Sequence, residues 1–323
     1  MLDQHELSSE PLEATPAVSL VIPLLNEAES LPELIRRLQK QLNALFDGSY
    51  ELIFVDDGST DGSCDVLSRH REQDPRIRII RFRRNYGKSA ALSVGFERVR
   101  APIVVTMDAD LQDDPDEIPR MLEKLEEGYD LVSGWKKKRH DPWHKTMPSR
   151  LFNAVTSAAS GIRLHDFNCG FKMYRSEVVK ELKVYGEMHR YLPALAHWQG
   201  FRVTELPVRH HPRRFGVSKF GLSRLVKGYL DLLTVLVTTR YLKRPLHLFG
   251  TVGSLFGLAG FGINLYLSIE WFLGNTYFSN RPLALLGVLL IIVGIQLVSM
   301  GLLSELMVRN SINNDQYSIR EES

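Results

Sequence analysis

Two long apolar runs, residues 246–273 and 283–304, lie near the end of this chain and limit its fold more than any other feature. At about 1.5 Å of rise per residue, either run can cross a hydrocarbon layer about 30 Å thick as a helix. The sequence therefore predicts two transmembrane helices. The first is rich in glycine, and the Gly253 to Gly257 spacing permits close helix approach, although such spacing also occurs in helices that are simply flexible. Arg240, Lys243 and Arg244 precede the first run and Arg309 follows the second, while the connection between them carries only Arg281. This positive-inside bias places both termini in the cytoplasm.

Upstream, Leu222, Leu225, Val226, Tyr229, Leu232, Leu233 and Leu236 recur at helical spacing among Lys219, Arg224 and Lys227. The pattern over 218–239 predicts an interfacial amphipathic helix, although the same periodicity would suit a helix packed on a soluble core. The division that follows is a flexible tail over 1–16, a soluble domain over 17–217, a juxtamembrane region over 218–245, a two-helix hairpin over 246–304 and a cytoplasmic tail over 305–323. The first sixteen residues lack the basic start and apolar stretch of a signal peptide.

From Ala17 onward, β-rich runs alternate with amphipathic stretches. Val18–Ile22, Glu51–Val55, Ile77–Phe82, Ile103–Met107 and Asp130–Ser133 read as strands of a βαβ-type α/β sheet buried on both faces. Ser30 and Glu33 stand at capping-box spacing before a helix whose Leu34, Ile35, Leu38, Leu42 and Leu45 share one face. Ligands of such sheets collect at the strand C-terminal ends. There Pro23 to Glu27, Asp56-Asp57-Gly58-Ser59 and Asp108 to Gln112 are expected to project onto one rim. Asp108 and Asp110, one residue apart after a buried strand, can offer oxygens to a hard divalent cation, which in turn can neutralise a diphosphate leaving group. Asp113, Asp114, Asp116 and Glu117 are expected to serve as charges at a helix N-terminus.

Charge is nearly balanced, 40 basic against 38 acidic residues. This gives no reason to expect nucleic acid, which selects a concentrated basic face. Cys64 and Cys169 lack metal-type spacing and are expected as reduced thiols that pack rather than react. His165, His189, His197, His210 and His211 show no ligand spacing and are expected as ordinary core or surface residues.

Val21-Ile22-Pro23 with Asn26-Glu27, Val55-Asp56-Asp57-Gly58-Ser59, Asn85-Tyr86-Gly87-Lys88, Asp108-Ala109-Asp110-Leu111-Gln112 and Arg213-Arg214-Phe215-Gly216-Val217-Ser218-Lys219 occur in that order. Together they resemble family 2 glycosyltransferases of the polyprenyl-phosphate type, above all bacterial membrane enzymes that load a sugar onto undecaprenyl phosphate. These are related to the dolichyl-phosphate mannose synthases. The likeness runs from about Ser19 to Arg309.

The resemblance implies a GT-A (Rossmann-like) catalytic domain over 17–217, a nucleotide-sugar donor and a polyprenyl-phosphate acceptor. It assigns Pro23, Glu27, Asp56, Asp57, Lys88 and Asp108 to the donor nucleotide, and Asp108, Asp110 and Gln112 to a Mg²⁺ or Mn²⁺ ion. Leu25 departs from the pattern, because many relatives place an aromatic there to stack on the base. Lys145, Ser149 and Arg213 are implied at the acceptor phosphate, and Lys138 or Arg139 could join them, although a basic run such as 136–139 is by itself more often a solvated or membrane-facing surface. Arg213 and Lys219 would clamp phosphates from a mobile loop that bends at Gly216. Asp166 is implied near the acceptor, as a base, an orienting carboxylate or a loop cap. Similar proteins also suggest a homo-oligomer, a tetramer.

A phosphate monoester has a second pKa near ~6, so the acceptor is already a charged nucleophile at neutral pH and needs positioning more than deprotonation. The expected reaction is an inverting sugar transfer, with glucose from a UDP donor the leading guess by resemblance. Two other functions stay open at this level. Gln199-Gly200-Phe201-Arg202-Val203 resembles the signature of processive polysaccharide synthases, with Val203 in place of its tryptophan. A membrane-anchored nucleotide-binding scaffold could also keep the fold without chemistry.

Overall fold

The computed structural model describes residues 15–137, 153, 156–157, 160–182, 184, 188–212, 245–274 and 282–311. The chain divides into two compact units, Met1–Asp231 and Leu232–Ser323.

In the first unit, seven strands of the described residues form one sheet in the order β3-β2-β1-β4-β6-β5-β7. They are β1 Val18–Leu24, β2 Tyr50–Asp56, β3 Ile77–Arg81, β4 Ile103–Thr106, β5 Leu131–Trp135, β6 Lys172–Arg175 and β7 Val203–Pro207. The five expected strands all form. Strands β1 and β2 are buried along their whole length, which explains why they read as continuous apolar runs. The two unexpected strands change the topology. Four-residue β6 runs antiparallel between β4 and β5, and β7 lies parallel to β5 at the edge. Neither has a strand's usual signature: β6 begins and ends with a cation, and β7 is half-buried and ends in Pro207.

Helix α1, Leu31–Phe46, buries Leu31, Leu34, Ile35, Leu38 and Leu42 as its periodicity requires, while Leu45 is only partly covered. Its capping box does not form. Ser30 adopts helical rather than extended angles and makes no side-chain cap. Its hydroxyl donates to the Glu27 carbonyl at 2.9 Å, and Glu33 pairs with Arg36 at 2.8 Å instead. Helices α2 Ser63–Gln73, α3 Lys88–Phe96, α4 Ile118–Glu126 and α5 Ser176–Glu181 follow before α6, Leu192–Trp198.

The chain leaves β1 for β2 and β3 on one side and returns to β4 on the other. The sheet thus has its switch point between β1 and β4, where α/β folds bind ligands. Pro23 was expected in the loop but lies inside β1, opposite Val55 and buried. Strand β4 pairs only with Val18 to Val21. Pro23, which has no N–H, therefore sits where the ladder on that side has already ended.

In the second unit, α7 (Pro245–Phe272) and α8 (Pro282–Ser311) are long and apolar enough to cross a membrane. Within their most apolar stretches only 17% of the first helix and 11% of the second is buried, so neither is packed like the core helix of a soluble domain. They pack through glycine. A Cβ on Gly253 would lie 2.6 Å from the Gly294 carbonyl oxygen, and one on Gly260 would lie 2.4 Å from that of Gly287. The Gly257 backbone also closes on Gly294, so the expected close approach is present. At one end of the hairpin, the Leu246 N–H donates to the Glu305 carboxylate at 3.3 Å. The expected interfacial helix over 218–239 lies outside the described residues.

Candidate active site

Three loops leave the C-terminal ends of β1, β2 and β4. The first two are bonded to each other. The Asn26, Glu27 and Ala28 N–H groups donate to Ser59, Ser63 and Asp61 side chains at 2.9, 3.0 and 2.9 Å, and the Asn26 side chain accepts from the Thr60 N–H at 2.9 Å. Asn26 meets this geometry at φ 56°, a left-handed angle that asparagine tolerates.

The adjacent aspartates do different things. Asp56, fully buried, accepts from the N–H of Ser59, three residues on, at 2.8 Å, and its other oxygen has Arg81 3.8 Å away. Asp57 reaches across to the loop after β3 and accepts from the N–H groups of Tyr86 and Gly87, at 2.6 and 2.9 Å. One carboxylate therefore fixes the strand-to-helix turn before Lys88. The Lys88 ammonium in turn forms an ion pair with Asp108. Tyr86 remains 56% exposed, with Arg84 over its ring at 4.7 Å.

Asp108 is partly exposed and Asp110 is 8% exposed. Asp110 accepts from the Gln112 N–H at 3.2 Å across Leu111, which is held at φ 60°. A leucine at this angle is strained, a condition that clusters at functional sites. Behind Asp108 lies the loop that carries Asp166. The Gly170 carbonyl accepts from the Thr106 hydroxyl at 2.8 Å, and a Cβ on Gly170 would lie 2.6 Å from an Asp108 carboxylate oxygen. A side chain there would have to displace the Asp108 carboxylate. Asp166 is 1% exposed and accepts from the Asn168 N–H at 3.1 Å, the loop-capping geometry. The adjacent cleft is lined by Lys88, Thr106, Asn168, Gly170, Lys172 and His189.

Two buried groups below this cleft have shifted ionisation. Burial pushes the Cys169 thiol up to about 12, against the nearby Lys136 charge. Burial likewise lowers Lys172 to about 8 despite the carboxylates around it, while its ammonium donates to the Cys169 carbonyl.

The acidic stretch after Gln112 is only partly what the sequence suggests. Asp114 caps the 3-10 turn Pro115–Glu117 by accepting from the Asp116 N–H at 3.1 Å, and Asp116 is exposed. Asp113 instead is buried beside Lys136 Nζ at 3.2 Å and His210 Nδ1 at 3.7 Å. Glu117, also buried, pairs with Arg120 and with Arg209 at 2.7 Å.

His210 and His211, expected to be ordinary, both contact the Asp110–Asp114 loop. The His211 N–H donates to the Gln112 carbonyl at 2.8 Å, and the His211 ring meets Asp114 at 2.9 Å. The Gln112 amide nitrogen lies 3.4 Å from both His210 Nε2 and the His211 carbonyl oxygen. Trp135 of β5 pairs with Pro207 of β7, so Lys136 and His210 leave the sheet side by side. Recognising β7 would have exposed that neighbourhood.

The structure thus gathers Asp56, Asp57, Lys88, Asp108, Asp110, Gln112 and Asp166 around one rim, with Glu27 on the adjoining loop. Lys138, Arg139, Lys145, Ser149, Arg213 and Lys219 lie outside the described residues.

Among the described residues, no cluster of three or more His, Cys, Asp or Glu side chains could hold a metal ion. Asp108, Asp110 and Gln112 present two carboxylates and an amide, an all-oxygen set that fits Mg²⁺ or Mn²⁺ when substrate phosphate supplies further ligands. The space Gly170 leaves beside Asp108 accommodates that carboxylate at the rim.

Comparison with known proteins agrees with this architecture. The chain is 36% identical over 315 residues to dodecaprenyl-phosphate galacturonate synthase from Rhizobium johnstonii, covering 94% of this chain and 92% of that one. It is 39% identical over 300 residues to undecaprenyl-phosphate 4-deoxy-4-formamido-L-arabinose transferase from Sodalis glossinidius, covering 92% and 90%. Among solved structures, glucosyl-3-phosphoglycerate synthase from Mycobacterium tuberculosis, in complex with Mn²⁺, UDP and glucosyl-3-phosphoglycerate, has the same fold. Its TM-score is 0.52 at 21% identity, over 70% of this chain and 80% of that one. Residues 19–183 match Glycosyl transferase family 2. With the GT-A-like mixed sheet and the acidic rim in place, these likenesses make the chain a glycosyltransferase that belongs to glycosyl transferase family 2.

Proposed function

We propose that the chain transfers a sugar, with inversion, from a nucleotide-sugar donor to undecaprenyl phosphate or another polyprenyl phosphate, yielding a polyprenyl-phosphate sugar. The observation that carries this reading is the Asp108–Gln112 loop at the sheet's switch point, in a chain that also holds two candidate spans. The names of both quoted relatives specify a polyprenyl-phosphate acceptor.

Asp108, Asp110 and Gln112 would hold Mg²⁺ or Mn²⁺. When bound, this ion supplies Lewis-acid neutralisation of the departing nucleoside diphosphate. Asp56, Asp57, Glu27 and Pro23 shape the donor pocket, with Asp57 holding the turn that delivers Lys88. Lys88, now paired with Asp108, can turn its charge to donor phosphate. Asp166 is buried and positions the loop below Asp108 rather than moving a proton. The acceptor phosphate is ionised at neutral pH and needs cations to orient it for in-line attack. Lys138, Arg139, Lys145 and Ser149 are assigned that role from their places in the sequence. Arg213 and Lys219 would close over both phosphates. The same reading puts the spans in the inner membrane with the catalytic unit on the cytoplasmic side.

The sugar is left to experiment. The relatives' names specify galacturonate and a formamido-arabinose, whereas the sequence suggested glucose. Detergent-purified protein is incubated with undecaprenyl phosphate and a panel of labelled nucleotide sugars. Divalent-metal-dependent label on a single lipid product supports the proposal. A growing polymer, or nucleotide binding without turnover, contradicts it.

A further inference from the structure

Gln112 carries an amide whose two ends differ: the oxygen can ligate a hard cation and the nitrogen cannot. Its nitrogen lies 3.4 Å from His210 Nε2 and 3.4 Å from the His211 carbonyl oxygen, long contacts that both lie on one side of the amide. The carbonyl can only accept. His210 Nε2 can accept only if the ring proton sits on Nδ1. His210 Nδ1 is buried, makes no hydrogen bond among the described residues, and faces the Asp113 carboxylate at 3.7 Å. An unprotonated Nδ1 would set its lone pair against the buried Asp113 carboxylate, which already faces the Lys136 ammonium at 3.2 Å. The proton therefore belongs on Nδ1, and Nε2 presents its lone pair to Gln112. Turned half over, the amide would put its oxygen against two acceptors.

We infer that Asp113 and His210 are positioning residues: the carboxylate selects the His210 tautomer, and the imidazole holds the Gln112 amide with its oxygen toward the Asp108–Asp110 cation site. This rests on the proposal that Gln112 is a metal ligand. Backbone geometry supports the coupling, because Asp113 and His210 form an isolated antiparallel bridge that fixes the two segments in register.

The test is Mn²⁺ alone, titrated into the full-length protein in detergent and read as loss of the free-ion EPR signal. His210→Ala is expected to weaken Mn²⁺ binding by about tenfold or more, as loss of an outer-shell partner typically does. His210→Phe keeps a ring but no acceptor and serves where the alanine variant does not fold. His210→Gln, which can restore an acceptor near Nε2, is expected to retain most of the affinity. The deciding background is Gln112→Glu, whose two carboxylate oxygens make orientation immaterial. There His210→Ala should leave Mn²⁺ affinity unchanged. Equal losses in both backgrounds, or no loss beside Gln112, would overturn the inference. If Gln112→Ala weakens Mn²⁺ binding while His210→Ala does not, only the orienting role fails. If Gln112→Ala has no effect, the metal assignment falls and the inference with it.

Discussion

The Lys136 ammonium lies 3.2 Å from the Asp113 carboxylate, with the lysine side chain 17% exposed and the aspartate not exposed at all. Burial alone would raise the aspartate's pKa, but the Lys136 ammonium beside it holds it below the usual carboxylate range. Truncating one partner strands the other charge. Lys136→Met is expected to destabilise the soluble unit by about 3–5 kcal/mol, the usual cost of breaking a buried pair. Chemical denaturation checks this, and a loss within the error of the measurement would show that water reaches Asp113.

Asp57→Ala removes the shared acceptor of the Tyr86 and Gly87 N–H groups. Each charge-assisted bond of this kind contributes roughly 1.5–3 kcal/mol. The turn before α3 should loosen, and with it the aim of Lys88. Hydrogen exchange at Tyr86 and Gly87 is expected to quicken, and KM for the nucleotide sugar to rise more than kcat falls. Unchanged exchange would mean that other contacts hold this turn.

Lys172 carries a pH dependence of known sign. Burial lowers its folded pKa to about 8, below the ordinary value of 10.5. Between those values the unfolded chain holds the extra proton, so stability rises with pH across that window, by at most about 1.4 kcal/mol per unit. Wild type is expected to gain stability relative to Lys172→Met between pH 8 and 10. Parallel stability curves would show that the ammonium stays charged in the fold.

In the hairpin, a Cβ at Gly260 would sit 2.4 Å from the Gly287 carbonyl oxygen, a contact that backbone must yield to relieve. Gly260→Val should separate α7 from α8 and lower the hairpin's resistance to unfolding in SDS. Gly262→Val, where a Cβ meets nothing within 4 Å, is the control expected to behave as wild type. Equal behaviour of the two variants would contradict close packing at Gly260.

Much of this architecture was legible because burial leaves periodic traces. The five expected strands and the buried face of α1 follow from apolar runs and helical spacing, and the acidic rim follows from Asp56 ending one strand and Asp57, Asp108 and Asp110 standing just beyond two of them. Short β6 was hidden because Lys172 is buried against expectation for a lysine. Once β7 was missed, the link from His210 to Asp113 could not be seen, because it spans 97 residues and depends on β5 and β7 being neighbours. The capping box failed for a local reason: spacing cannot report that Ser30 adopts helical angles and bonds back to Glu27.

The most direct test is sugar transfer to undecaprenyl phosphate by purified Asp110→Ala, measured with Mg²⁺ or Mn²⁺ beside wild type. A bound cation supplies several kcal/mol of charge stabilisation, so turnover should fall by about a thousandfold or more while the protein stays folded and membrane-bound. Wild-type turnover in that variant would contradict a carboxylate-held cation as the means by which the nucleoside diphosphate departs.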